Sequence, residues 1–147
     1  MKTTIIAAGL LVAALPAAVS AHAVLAVGEA ATGSHYTGTV RIGHGCAGEA
    51  TREVRVRMPE GFLSAKPMPK PGWTLETVTA PYAQSYDYYG RTLTEGVREI
   101  VWRGELPDAW YDEFTFSGKI DGSTAAGSVL HFPVTQVCAS GRLDWEE

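Results

Sequence analysis

The chain has 147 residues, 46% hydrophobic and 19% charged, with 12 Lys and Arg against 16 Asp and Glu and a formal net charge of −4. That length suits one domain around one core. Acidic and basic residues are mixed along the chain with no basic block, which excludes a nucleic-acid footprint.

Residues 1–21 read as a secretory signal. Lys2 is the short positive region, residues 5–15 form the apolar run, and Pro16 ends its helix. Val19 and Ala21 are the small residues ahead of the cut. The apolar run falls short of the ~20 residues of a membrane span. A cut after Ala21 makes His22 the first residue of a domain over 22–147. A cut after Ala23 satisfies the same small-residue rule. The sequence therefore predicts a periplasmic or secreted protein. No Cys stands at the junction and no second apolar span appears, so no stable membrane anchor is expected in the mature chain. Export implies an oxidising compartment, and the two cysteines, Cys46 and Cys138, read as one disulfide. Such a bond is worth ~4 kcal/mol in the chain-entropy model. A soft-metal site is the other use for two such thiols.

Beyond the signal, apolar residues recur with period two between Gly, Pro and Ser punctuation. Val24 to Val27 is a short strand, and Tyr36, Gly38, Val40 and Ile42 share one face of the next. Gly43-His44-Gly45-Cys46-Ala47-Gly48 is a turn-rich loop. Val54, Val56 and Met58 alternate with Glu53, Arg55 and Arg57, a strand with a solvated charged face. The alternating prolines of Lys66 to Trp73 predict an extended connector, because proline fixes φ and lacks a ladder donor. A strand starts at Trp73 and Leu75. Residues 81–96, with Tyr82, Tyr86, Tyr88 and Tyr89, read as a long hairpin or loop pinned to the sheet by its rings, or as a sugar- or protein-binding patch. Arg98 to Trp102 and Phe114 to Ile120 are further strands. Leu106-Pro107-Asp108 and Asp121-Gly122-Ser123 are turns. Leu130 to Cys138 is the last long strand, with Pro133 placing it at an edge or a bulge. No helical period survives after the signal. Seven or more short strands predict an all-β sandwich.

There is no Gly-x-Ser-x-Gly, no Walker loop and no His-Glu-x-x-His. The four histidines, His22, His35, His44 and His131, are not at ligand spacing. His35 and His131 read as solvent-facing strand residues. His44 lies in the glycine-flanked loop two residues before Cys46. His22 differs for a chemical reason. As a first residue its free α-amine and its own Nδ1 close a chelate ring on one metal ion, which no internal histidine can do. An amine, an imidazole and oxygen donors suit Cu(II), which prefers tetragonal nitrogen and oxygen ligation. The site then needs a carboxylate, and Asp108, Glu113, Glu95 and Glu99 are candidates.

The chain resembles the YcnI-like exported copper-binding domain family. The likeness rests on His22 after the signal, Gly43-His44-Gly45-Cys46, and Lys66-Pro-Met-Pro-Lys-Pro-Gly-Trp73. It continues through Thr94-Glu-Gly-Val97, Ile100-Val-Trp102, Leu106-Pro-Asp108, Tyr111-Asp-Glu-Phe-Thr-Phe116 and Phe132-Pro-Val134. The resemblance implies an immunoglobulin-like β-sandwich and a mononuclear Cu(II) site built on the amino-terminal histidine as a monohistidine brace. It implies a carboxylate that completes the plane and a tryptophan close to the metal. Their nearest equivalents here are Asp108 and Trp145, with Glu113 and Glu95 as alternatives for the carboxylate and His44 as a possible further ligand.

The expected function is copper storage, delivery or resistance in the cell envelope, without turnover. The expected partners are the copper ion and another envelope chaperone or transporter, with no nucleic acid. Two other readings stand beside it. One is a metal-free adhesion or scaffold sandwich. The other is a copper-dependent polysaccharide oxidase, which needs a second histidine, for which His44 is the loop candidate.

Overall fold

The structure, a computed structural model, describes residues 23–145, and these form nine strands and no helix. The expected leader and His22 lie outside the described residues. Four strands form one antiparallel sheet in the order β1 (Val24–Leu25), β2 (His35–Ile42), β7 (Asp112–Ile120) and β4 (Phe62–Pro67). Five form the other, in the order β5 (Thr74–Tyr88), β6 (Arg91–Leu106), β3 (Thr51–Arg57), β8 (Val134–Cys138) and β9 (Arg142–Trp145). The all-β sandwich expected from the period-two pattern is the fold found.

Alternation decides which side chains meet between the sheets. Val40, Ile42, Phe114 and Phe116 point in from the four-stranded sheet, and Val54, Val56, Ile100 and Trp102 from the five-stranded one. Phe62, Phe116 and Phe132 pack as edge-to-face or tilted rings with centroids 5.1 to 5.8 Å apart. Burying each such ring is worth about 1.5–3 kcal/mol. Two glycines make room for them. A Cβ on Gly38 would stand 2.4 Å from the Phe116 ring, and one on Gly118 would stand 2.6 Å from Phe62. The buried Trp102 indole donates to the Met68 carbonyl at 3.2 Å, so its polar edge is satisfied.

The tyrosine-rich stretch is a hairpin of β5 and β6 turned by Tyr89 and Gly90, both at positive φ, the pairing that a tight two-residue turn requires. Tyr82 and Tyr86 are buried against Leu63, as a loop pinned by its rings demands. Tyr89 is exposed. On the outer face of the five-stranded sheet, Glu53 lies under Arg55 and Arg103. This is the solvated charged face read from β3, closed on itself by ion pairs.

Three details differ from the sequence reading. Lys66 and Pro67 belong to β4, so only residues 68–73 serve as the proline-rich connector. The last long strand begins at Val134, because Pro133 has no N–H to offer and its carbonyl instead accepts the Arg57 amide at 2.9 Å. That strand is also not an edge. A further strand, β9, covers it with Trp145 opposite Val134.

Candidate metal centre

The two sheets leave an open side where edge strand β1 faces edge strand β9. Ala23, Leu25, Val40, Val134 and Trp145 line a cleft of ≈ 280 Å³ there. Ala23 and Trp145 both pack against the core as partly buried residues. The residue that directly follows His22 therefore shares a cleft with the tryptophan expected near the metal. His22 itself lies outside the described residues. A larger hollow of ≈ 690 Å³ adjoins, sharing Leu25 and Phe132 and walled by Tyr36, Ile120 and Leu130.

Antiparallel pairing places the start of β1 beside the end of β2, since Val24 is opposite Arg41. The loop after β2 carries His44 and is tied down at one peptide unit from both sides. Gln136 Nε2 donates to the His44 carbonyl at 2.7 Å, and Asp108 Oδ1 accepts the Gly45 amide at 3.0 Å. The same Gln136 amide donates to Thr51 Oγ1 at 2.7 Å. Only glycine fits at 45, where a Cβ would fall 1.7 Å from the Glu49 carbonyl oxygen. The disulfide between Cys46 and Cys138 fastens the loop to β8, as the pair of cysteines implied. Ser140 donates from its amide and hydroxyl to Glu49, and these bonds hold that carboxyl below the usual range.

The candidate carboxylates separate by position. Asp108 belongs to the same end of the sandwich as the start of β1 and already serves the His44 loop through Oδ1. Glu113 is one residue further into β7 and makes a 2.8 Å ion pair with Arg41, which stands opposite Val24. Glu99 lies opposite Arg57, at the other end of β3. Glu95 lies further out still, opposite Pro81 in the hairpin, so the fold does not bring it to the others. His44 is half-buried, with Nδ1 2.6 Å from the Gly45 carbonyl oxygen. His35 and His131 are exposed, as expected; His35 opens β2, whereas His131 precedes β8 and lies outside any strand.

One acid at this end was not singled out from sequence. Asp112 pairs with Ile42 and accepts from Lys70 Nζ at 2.5 Å and from the Glu113 amide at 2.8 Å. Its shared parity with Phe114 and Phe116 is the signal that marks it as an inward position. Among the described residues, no group of three or more His, Cys, Asp and Glu comes together as a ligand cluster. The carboxylates at this end, Asp108, Asp112 and Glu113, are each engaged within the fold, by the Gly45 amide, Lys70 and Arg41.

Residues 22–147 match a family described as a domain of unknown function, DUF1775. The chain belongs to the DUF1775 family. The match begins at His22, the residue that the signal reading places first in the mature chain. Among solved structures, the DUF1775 chain is similar to an uncharacterized protein from Nocardia farcinica described as having an immunoglobulin-like fold. The two share 19% identity with a TM-score of 0.54, over 80% of this chain and 78% of the other. This likeness carries the fold alone, and it makes the sandwich immunoglobulin-like. No curated protein matches the chain.

Proposed function

We propose that this DUF1775 chain is an exported Cu(II)-binding protein of the cell envelope that stores, delivers or sequesters copper and catalyses nothing. In this reading the α-amine and Nδ1 of His22 hold the ion as a monohistidine brace. A carboxylate from the same end of the sandwich, Asp108 first, supplies the anionic donor. Trp145 shields one side of the site. The observation that supports the reading is the cleft shared by Ala23 and Trp145, which come from opposite ends of the domain. Asp108 keeps a second carboxylate oxygen beyond the one that holds Gly45. The likeness to YcnI-like domains supports the choice of metal.

Cu(II) displaces protons from both nitrogens, an imidazole of pKa near ~6.5 and an α-amine near ~8. The brace is specific to the first position. With one residue added before His22, the α-amine becomes an amide, whose proton is far harder to remove. The test is Cu(II) titration followed by EPR, on protein that begins at His22 and on protein with one extra residue ahead of it. The expected result is one tightly bound copper in the first, and loss of affinity with a changed nitrogen pattern in the second. Equal affinity in both would overturn the brace. An intact mass of exported protein that begins at Val24 would remove it altogether.

A further inference from the structure

Each sheet ends on two outer strands, and an outer strand leaves a row of backbone N–H and C=O groups without a ladder partner. Three of these four edges are blunted. β1 has two residues and β9 has four. β4 is broken by a register shift between Leu63 and Lys66, by Ser64 at positive φ and by Pro67. β5 differs. Every residue from Thr74 to Thr79 is exposed, and among the described residues β6 is the one strand that pairs with it. The pairing shifts between Val78 and Thr79, but the extra residue there is Arg98 of β6. β5 itself runs without a bulge as far as Pro81, which has no N–H to offer.

The side chains of this edge suit a further ladder. Thr74, Thr77, Val78 and Thr79 are β-branched and fit a pleated surface. Glu76 is the only charged residue from Thr74 to Ala80, and Arg103 Nη1 donates to it at 2.5 Å. The stretch carries no lysine, the usual safeguard against pairing with another strand. The later part of β5 is already engaged. There the Ala83 amide and the Tyr86 hydroxyl donate to Glu60 at 3.1 and 2.7 Å. The open edge is therefore Thr74 to Ala80.

We propose that β5 pairs antiparallel with β5 of a second copy of this chain, joining two five-stranded sheets into one continuous sheet. A two-fold axis through the ladder limits which residues can meet. Centred on Leu75, the ladder runs off the start of the strand. Centred on Glu76, it sets two carboxylates opposite each other. Centred on Val78, it brings Pro81 opposite Leu75. Centred on Thr77, it sets Thr74 opposite Ala80, Leu75 opposite Thr79 and Glu76 opposite Val78. That last register uses the whole open stretch, leaves Pro81 outside and opposes no like charges. Recognition of a foreign strand calls for side-chain pockets beside the edge, and the two hollows described above are lined by no β5 residue. A ladder of this length covers less than the ~1,600 Å² of a standard interface, so the dimer is concentration-dependent. β9 is the opposite edge of the same sheet, so the cleft beside Trp145 stays clear of the dimer. This inference stands independently of copper.

Sedimentation velocity of the exported chain over a dilution series from ~5 to ~500 µM tests it. A monomer should give way to a dimer as the concentration rises. Thr77→Lys puts two ammonium groups at the two-fold axis and should raise the dissociation constant at least ~tenfold. Thr77→Cys should form a disulfide between copies under mild oxidation and double the mass on a non-reducing gel. Residues opposite each other in a ladder hold their Cα atoms within reach of such a bond. Arg142→Cys, on the opposite edge, should crosslink far more slowly. Urea unfolding checks that each variant is folded, and the cysteine trap decides the matter if Thr77→Lys is not. A monomer at every concentration would overturn the proposal and leave the edge to a foreign strand. So would a dimer that persists in folded Thr77→Lys, or a Thr77→Cys variant that crosslinks no faster than Arg142→Cys.

Discussion

The Asp108 carboxylate accepts the Gly45 amide at 3.0 Å, across the gap between two loops far apart in sequence. One oxygen of the residue expected to face copper is thus occupied in holding the loop that carries His44. A ligand role and a scaffolding role for Asp108 therefore respond differently to two substitutions. Asp108→Asn keeps an acceptor for Gly45 and removes the charge. It should leave stability within about 0.5 kcal/mol and weaken Cu(II) binding, measured by titration against a competing chelator. Asp108→Ala loses the acceptor as well and should cost ~1–2 kcal/mol in urea unfolding. If Asn binds copper as well as wild type, the ligand is another acid of that end, and Asp112→Asn becomes the informative variant.

Much of this architecture was legible before any coordinates. Strict alternation in Tyr36 to Ile42, Val54 to Met58 and Phe114 to Ile120 marked inward faces that the fold then buries. The disulfide was legible from compartment and parity of number. What escaped was long-range. β9 is four residues, with Leu143 and Trp145 its two apolar side chains, too short to announce a strand, and it forms along the edge that β8 offers it. The link from Asp108 to Gly45 joins two turns, and no local pattern records which turns will meet. The sequence left the choice among carboxylates open for the same reason: Glu95 and Asp108 look alike in sequence and lie at different ends of the sandwich.

Glu53 sets an acid limit to stability. Burial alone raises its carboxyl, but hydrogen bonds from Arg55 and Arg103 outweigh that and hold it below the usual range. A depressed folded pKa means that the pairing stabilises fully above the unfolded carboxyl value of ~4.3. That contribution is lost as the pH falls through the lower folded value. Glu53→Gln should therefore cost ~1–3 kcal/mol at neutral pH. The gap between variant and wild type should close as unfolding is measured at progressively lower pH below ~4. A gap independent of pH would show that Glu53 acts by shape.

Removing the disulfide by replacing Cys46 and Cys138 with alanine frees a loop with a sequence separation of 92. Both positions are buried, so small replacements fit. The variant should lose ~2–5 kcal/mol in denaturant unfolding. Copper stoichiometry should remain at one, since neither sulfur belongs to the proposed donor set.

Copper affinity should rise with pH across the range in which an imidazole and an α-amine lose their protons, about 6 to 8. Competition between proton and metal gives that sign, because both nitrogens must be free to bind. Isothermal titration in two buffers of different ionisation enthalpy counts the protons released. Release of fewer than one near pH 7 would contradict the amine as a ligand.

Ala23 and Trp145 line one cleft on the open side, which brings β1 and β9, the first and last strands described, to the same place. That closure joins residues separated by almost the whole sequence, which makes it a late and entropically expensive contact in folding. It also has a practical side. A purification tag on the amino end converts the α-amine to an amide, and a tag on the carboxyl end hangs from the strand that carries Trp145. An affinity tag inserted at the Asp121-Gly122-Ser123 turn, between β7 and the segment leading to β8, adds nothing to β1 or β9, the strands that flank the cleft.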